Sequence, residues 1–217
     1  MKKIITTLAC LSFLINSIHA QEGTNKTDFR DRILFGVKLG INYSNVYDTQ
    51  GAAFTANPKL GMAGGIFLAI PFTTFFGLQP EALISQRGFQ ASGNILGAPY
   101  NVSRTSTYFD LPLFLSFKPS EFFTLLAGPQ FSYLMKQTDI FTNGVTSSQQ
   151  EIEFENNNIR KNILCVVVGA DITMKHIVLS GRAGWDLFKN NGDGSSTQIN
   201  YKNMWYQATI GYRLYRN

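Results

Sequence analysis

Residues 35–44, Phe35-Gly36-Val37-Lys38-Leu39-Gly40-Ile41-Asn42-Tyr43-Ser44, alternate without a slip between apolar side chains and small or polar ones. Phe35, Val37, Leu39, Ile41 and Tyr43 share one face, and Gly36, Lys38, Gly40, Asn42 and Ser44 share the other. A period of two is the signature of a strand, because successive side chains point to opposite sides of a pleated backbone. This stretch runs from about 33 to 46, and seven more follow at about 59–71, 74–87, 104–118, 121–136, 161–173, 176–188 and 202–215. A membrane-crossing strand needs about 9–11 residues, and each of the eight is long enough. The pattern predicts an all-β fold, an eight-stranded antiparallel up-and-down transmembrane barrel over residues 33–217.

The other stretches repeat the two faces. In the third, Phe76, Leu78, Pro80, Ala82 and Ile84 oppose Gly77, Gln79, Glu81, Ser85 and Arg87; in the fourth, Phe109, Leu111, Leu113, Leu115 and Phe117 oppose Tyr108, Asp110, Pro112, Phe114 and Ser116. Prolines 80, 112 and 129 fall inside predicted strands, where a missing N–H breaks the ladder, and are expected to mark local bulges.

The connections orient the barrel. Pro71–Thr74, Lys118–Glu121 and Thr173–His176 read as tight turns, whereas 47–58, 88–103, 137–160 and 189–201 are long and rich in Gly, Asn, Ser and Thr. Short periplasmic turns and long extracellular loops are the rule for outer-membrane barrels, so the long loops are expected at the cell surface.

Alternation alone also suits a soluble barrel with an apolar cavity. Charge decides between them. The non-apolar face carries Lys38, Arg87, Arg182 and Arg213 with Glu81, Asp110, Asp171 and Asp186, four of each sign. Unpaired charges in a narrow interior filled by side chains would cost several kcal/mol each, so balanced signs suit a polar lumen. Aromatic residues of the apolar face gather near strand ends, as interfacial girdles do.

The chain starts Met1-Lys2-Lys3, continues apolar from Ile4 to Ile18, and reaches Ala20 before a polar stretch, which reads as a secretory signal over 1–20 followed by a periplasmic lead-in, 21–32. Cys10 offers a lipoprotein alternative that would leave too short an apolar core. After residue 20 only Cys165 remains, so an intramolecular disulfide is excluded and a packing role is expected. All 14 acidic residues and all but Lys2 and Lys3 of the 19 basic ones follow residue 20, for a net charge of about +3, scattered and too mild for a nucleic-acid partner.

Several motifs together resemble a known family. Phe35–Ser44, Tyr108-Phe109-Asp110-Leu111-Pro112-Leu113-Phe114-Leu115, Gly128-Pro129-Gln130-Phe131-Ser132-Tyr133-Leu134, Gly181-Arg182-Ala183-Gly184-Trp185-Asp186-Leu187 and Ile210-Gly211-Tyr212-Arg213-Leu214 are similar, in order, to strands of the PorT-like outer-membrane β-barrel proteins of Bacteroidetes. The resemblance implies an integral outer-membrane barrel without enzymatic activity. It also implies recognition by the barrel-assembly machinery during insertion, through a terminal outward aromatic; here Leu214 holds that parity and Tyr215-Arg216-Asn217 follow.

Catalytic, cofactor and metal motifs are not evident. His176, the one histidine after residue 20, falls in a predicted turn and reads as a solvated residue, so a Ser-His-Asp relay is not available. Glu81, Asp110, Arg182 and Asp186 read as a structural salt-bridge network before a polar relay. Glu151, Glu153 and Glu155 read as a solvated face before a divalent-cation site, and Asn191–Gly194 lacks the spacing of a calcium loop. The expected function is structural or interaction-based, through loops 88–103 and 137–160, with no enzyme activity and no cofactor. The partners expected are outer-membrane lipid and lipopolysaccharide, and a surface or secretion-complex protein. The alternatives are an accessory component of a secretion or uptake machine and a small-solute or lipid-handling barrel.

Overall fold

The computed structural model describes residues 30–50, 55–95, 98–143, 147–152, 159–190 and 200–214. Nine strands follow one another: β1 (Leu34–Gln50), β2 (Thr55–Pro71), β3 (Phe76–Ile95), β4 (Ala98–Phe117), β5 (Phe123–Asn143), β6 (Ser147–Ile152), β7 (Asn162–Met174), β8 (Ile177–Asp186) and β9 (Asn200–Leu214). Eight of them close a ring in chain order, sealed where β1 pairs antiparallel with β9. β6 stands outside the ring, paired to the distal half of β5 (Gln137–Thr142), whereas the proximal half of β5 (Phe123–Tyr133) pairs with β7. The expected eight-stranded up-and-down barrel is the fold, and β6 is a ninth strand inside what read as the 137–160 loop.

Away from a few local irregularities, parity along the ring strands follows the alternation. Leu39 and Ile210 are paired and are 63% and 64% exposed, whereas the next residues along, Lys38 and Thr209, are each 4% exposed. An outward row this apolar would be a severe liability in water and is what a hydrocarbon solvent requires. Aromatic residues rim that row at both ends. Tyr43 faces Tyr206 and Phe109 faces Tyr133 at one level, while Phe76 and Phe117 meet at 5.2 Å between ring centroids near the short turns. No helix among the described residues is long and apolar enough to cross a membrane; crossing falls to the strands.

Three strands overshoot. β3, β4 and β5 have 20, 20 and 21 residues, about twice what a crossing needs. Their excess rises beyond the outer girdle as a sheet, so much of 88–103 and of 137–160 is strand and not the irregular loop expected. The reason is visible in the residues: Phe89, Ala91 and Leu134 continue to be buried while Gln90, Ser92 and Ile140 continue to be exposed.

The prolines do not mark the bulges. Pro80 pairs with Leu113, Pro112 with Gln130 and Pro129 with Val166, each in the register of its flanking pairs. The irregularities lie between Pro58 and Ala63 on β2, at Met135 on β5, which the Thr107 and Tyr108 pairs of β4 skip, and between Tyr47 and Gln50 on β1. At the β2 break the neighbouring strand repairs the wall. Asn42 Nδ2 donates to the Gln86 carbonyl at 3.0 Å, and Ser44 Oγ accepts from the Gly88 N–H at 2.8 Å. Backbone groups left open in a lipid-facing wall cost several kcal/mol each, which these side chains avoid.

The signal and most of the lead-in, Glu153 and Glu155, Asn191–Gly194 and Tyr215–Asn217 lie outside the described residues. Glu151 is placed by its backbone in β6, opposite Thr138.

Candidate functional site

The lumen holds most of the charged residues that sequence reading grouped, in two separate clusters. The inner one joins Lys38 on β1, Glu81 on β3, Asp171 on β7 and Arg182 on β8. Lys38 Nζ meets Glu81 Oε1 at 2.7 Å, and Gln79 Nε2 donates to the same oxygen at 2.9 Å. Arg182 reaches both acids, Asp171 at 2.7 Å and Glu81 at 3.5 Å, and its Nη1 also donates to the carbonyls of Ala170 and Gly181. Lys38 is opposite Gly65 on one neighbour and Gly211 on the other, so neither directly paired residue crowds it, and its ammonium lies 5.3 Å from the Phe67 ring centroid. Two cations and two carboxylates leave this cluster neutral, the condition under which buried charge is tolerable.

The outer cluster is built on Arg87 of β3. Its Nη2 donates to Asp110 Oδ2 at 2.6 Å and to Ser132 Oγ at 3.3 Å, while Nη1 stands 3.6 Å from Asp186 Oδ1. Ser85 Oγ donates to the same Asp110 oxygen. The guanidinium is sandwiched by rings, 3.6 Å from the Trp205 centroid and 4.7 Å from that of Tyr108. Asp186 is held by Asn203, through its N–H at 3.0 Å and Nδ2 at 2.6 Å, and by the Cys165 thiol at 3.2 Å. Arg213, grouped with these residues by parity, belongs to neither cluster; it lies at the inner end and donates to Thr173 Oγ1 at 3.0 Å.

Apolar side chains fill the rest of the lumen. Phe114, Leu126, Leu134, Ile163 and Val167 pack around Cys165 and Trp205 as a core. Alternation places these residues inward but does not say that large apolar ones will crowd against β5 and β7.

Above the outer cluster the barrel is capped. Arg104 on β4 clamps Asp139 on β5 with two hydrogen bonds of 2.7 and 2.6 Å and donates across the mouth to the Tyr201 hydroxyl on β9 at 3.2 Å. Phe89 meets Tyr201 edge to face at 5.3 Å, and Val46 and Ala91 close the group. Sequence reading missed this cap because Arg104, Asp139 and Tyr201 lie at or beyond the expected strand ends. The alternation that continues through Phe89 and Ala91 was the available signal.

Two groups deserve a chemical test. Cys165 touches Asp186 and, at 3.5 Å, Ser132, a thiol beside a carboxylate and a hydroxyl. It has the packing role expected and a polar one besides, but its fully buried position bars a substrate from approach. His176 is not simply a solvated residue. It is half-buried at the inner rim, stacked on Tyr212 at 5.3 Å with 12° between planes, and its Nδ1 lies 3.0 Å from the Arg213 carbonyl. Among the described residues no three His, Cys, Asp or Glu side chains are grouped to hold a metal ion.

A closed antiparallel ring with an apolar outside, aromatic rims and a charged, side-chain-filled inside defines an integral β-barrel of the outer membrane. The chain belongs to the outer membrane protein beta-barrel domain family, whose model matches residues 19–190. No curated protein matches it. Among solved structures, Ail, the attachment invasion locus protein of Yersinia pestis, is 12% identical and aligns over 83% of this chain and 98% of its own, with a TM-score of 0.45. OprG of Pseudomonas aeruginosa, also 12% identical, aligns over 86% and 98% with a TM-score of 0.43. The outer-membrane protease OmpT of Escherichia coli, again 12% identical, aligns over 89% and 99% at 0.38. At these scores the likenesses carry no statement about activity.

Proposed function

We propose that this chain is a sealed, non-enzymatic barrel, exported by a cleaved signal over residues 1–20, whose work is done by the sheet raised beyond the outer rim. The observation that carries the reading is the closure of the lumen at three successive levels. The Lys38–Glu81–Arg182–Asp171 cluster fills the inner half, Arg87 between Trp205 and Tyr108 fills the middle, and Arg104–Tyr201 caps the mouth. Each charged side chain named in that column is already engaged by another, which argues against a channel and against lumenal catalysis. The overshooting β3–β6 sheet supports a protein partner at the cell surface. The five motifs in order support kinship with the PorT-like branch of the family. In planar bilayers the purified protein gives no steady conductance on this reading, and a stable ohmic pore sinks it. Deleting 137–160 is expected to abolish capture of the surface partner; unchanged capture removes the role given to that sheet.

A further inference from the structure

The outer wall just above the aromatic girdle carries a cationic, hydroxyl-rich face that the lumen does not use. Arg104 points into the cap, so its neighbours Ser103 and Thr105 point out. Thr138 is opposite Thr105, and exposed Lys136 is opposite Thr107, which extends that outward face onto β5. Lys59 on β2 joins from the other side. Its ammonium passes the position of Gly88 on β3, where no side chain stands, and donates to Ser103 Oγ at 2.8 Å and Thr105 Oγ1 at 2.5 Å.

Both of those acceptors are neutral. Among the described residues no carboxylate forms an ion pair with Lys59; the nearby acid, Asp139, is turned inward and engaged by Arg104 at 2.6 Å. Among the described side chains the ammonium is therefore held by neutral hydrogen-bond partners alone. Immediately below it the outward row becomes apolar, with Leu60, Met62, Ile84 and Phe109 exposed. A ligand matching this wall has hydrocarbon chains below and anionic groups above. It also has hydroxyls or amides broad enough to meet polar side chains spread over three strands.

We propose that this face seats the phosphorylated sugar headgroup of a lipid A-type glycolipid in the outer leaflet, with Lys59 and Lys136 on its phosphates and Ser103, Thr105 and Thr138 on its sugars. Ammonium–phosphate hydrogen bonds are charge-assisted, and an anion at Lys59 supplies the charge its hydroxyl partners do not. The proposal rests on the reading that the overshooting end faces the cell exterior.

The test is binding of labelled lipid A to the purified full chain in detergent, which does not depend on orientation in the cell. Bis-phosphorylated lipid A is expected to bind the wild type at least about tenfold tighter than it binds Lys59→Gln/Lys136→Gln. Dephosphorylated lipid A should bind the wild type no better than the bis-phosphorylated form binds that variant. Lys59→Arg/Lys136→Arg should restore affinity, and Lys175→Gln at the opposite rim should leave it unchanged. Heat-modifiable gel mobility checks that each variant is folded. Equal binding by the Gln variant, equal binding of dephosphorylated lipid A, or equal binding of phosphatidylglycerol each overturns the proposal. Orientation fails separately, if protease added to intact cells does not reach 137–160.

Discussion

The guanidinium carbon of Arg87 stands 3.6 Å from the centre of the Trp205 ring while Asp110 grips the same group at 2.6 Å. A cation so deep in a barrel is tolerable only with both kinds of contact, the carboxylate for charge and the ring for what water would otherwise supply. A desolvated cation–π pair is worth about 2 kcal/mol, and loss of a buried aromatic leaves a cavity besides. Trp205→Leu should lower stability by about 2–4 kcal/mol in urea unfolding from detergent. A change within about 0.5 kcal/mol would mean the stack is incidental.

The same ring depends on a glycine. A methyl group at Gly184 would stand 2.3 Å from Trp205, closer than atoms can approach. Gly184→Ala must therefore push the indole off Arg87, at a cost of about 1–3 kcal/mol, with a changed Trp205 near-ultraviolet signal. An unaltered signal would show that the ring has slack the structure does not indicate.

In the inner cluster the cost of breaking a pair should exceed the cost of removing it. Lys38→Met leaves Glu81 with a distant arginine and Gln79, and about 3–5 kcal/mol is expected to be lost. Adding Glu81→Gln to Lys38→Met should recover at least about 1 kcal/mol of it, because the orphaned charge is gone. Additive losses in the double-mutant cycle would contradict the pairing.

Lys59, above the girdle, makes a prediction about pH. Burial holds its pKa below the ordinary 10.5, against the opposing pull of Asp139. The folded chain then releases this proton more readily than the unfolded chain does. Stability should rise as pH climbs from the lowered folded value towards 10.5, and no further above it. The wild type should gain on Lys59→Gln across that window in detergent; a loss would reverse the assigned sign. An added phosphate ligand should shrink the gain.

Much of this architecture was legible because a membrane barrel enforces strict period two. Each slip would drive Lys38, Glu81, Arg87, Asp110, Asp171, Arg182 or Asp186 into lipid, so the parity of these seven positions could be read directly. Arg213 shared that parity yet joined neither cluster, because parity states the side of the wall and not the height along it. The β2–β3 irregularity was not legible, since it depends on Asn42 and Ser44 reaching Gln86 and Gly88 from another strand. The three prolines inside the expected strands were a poor guide to it, because the ladder closes around Pro80, Pro112 and Pro129 without a shift. The outer cap was hidden by composition. Ser, Thr, Asn and Gly in 88–103 suggest a loop, and only the buried partners Phe89 and Ala91 show that the same residues are an exposed strand face.

The chain's two tryptophans allow the most direct test of which face meets lipid. Trp185 lies on the outward parity of β8, and Trp205 is buried in the lumen at 2% exposure. Trp205→Phe and Trp185→Phe each leave one reporter, reconstituted into bilayers of lipids brominated along their acyl chains. The account expects strong quenching of Trp185 and almost none of Trp205. Quenching of Trp205 equal to or greater than that of Trp185 would contradict it.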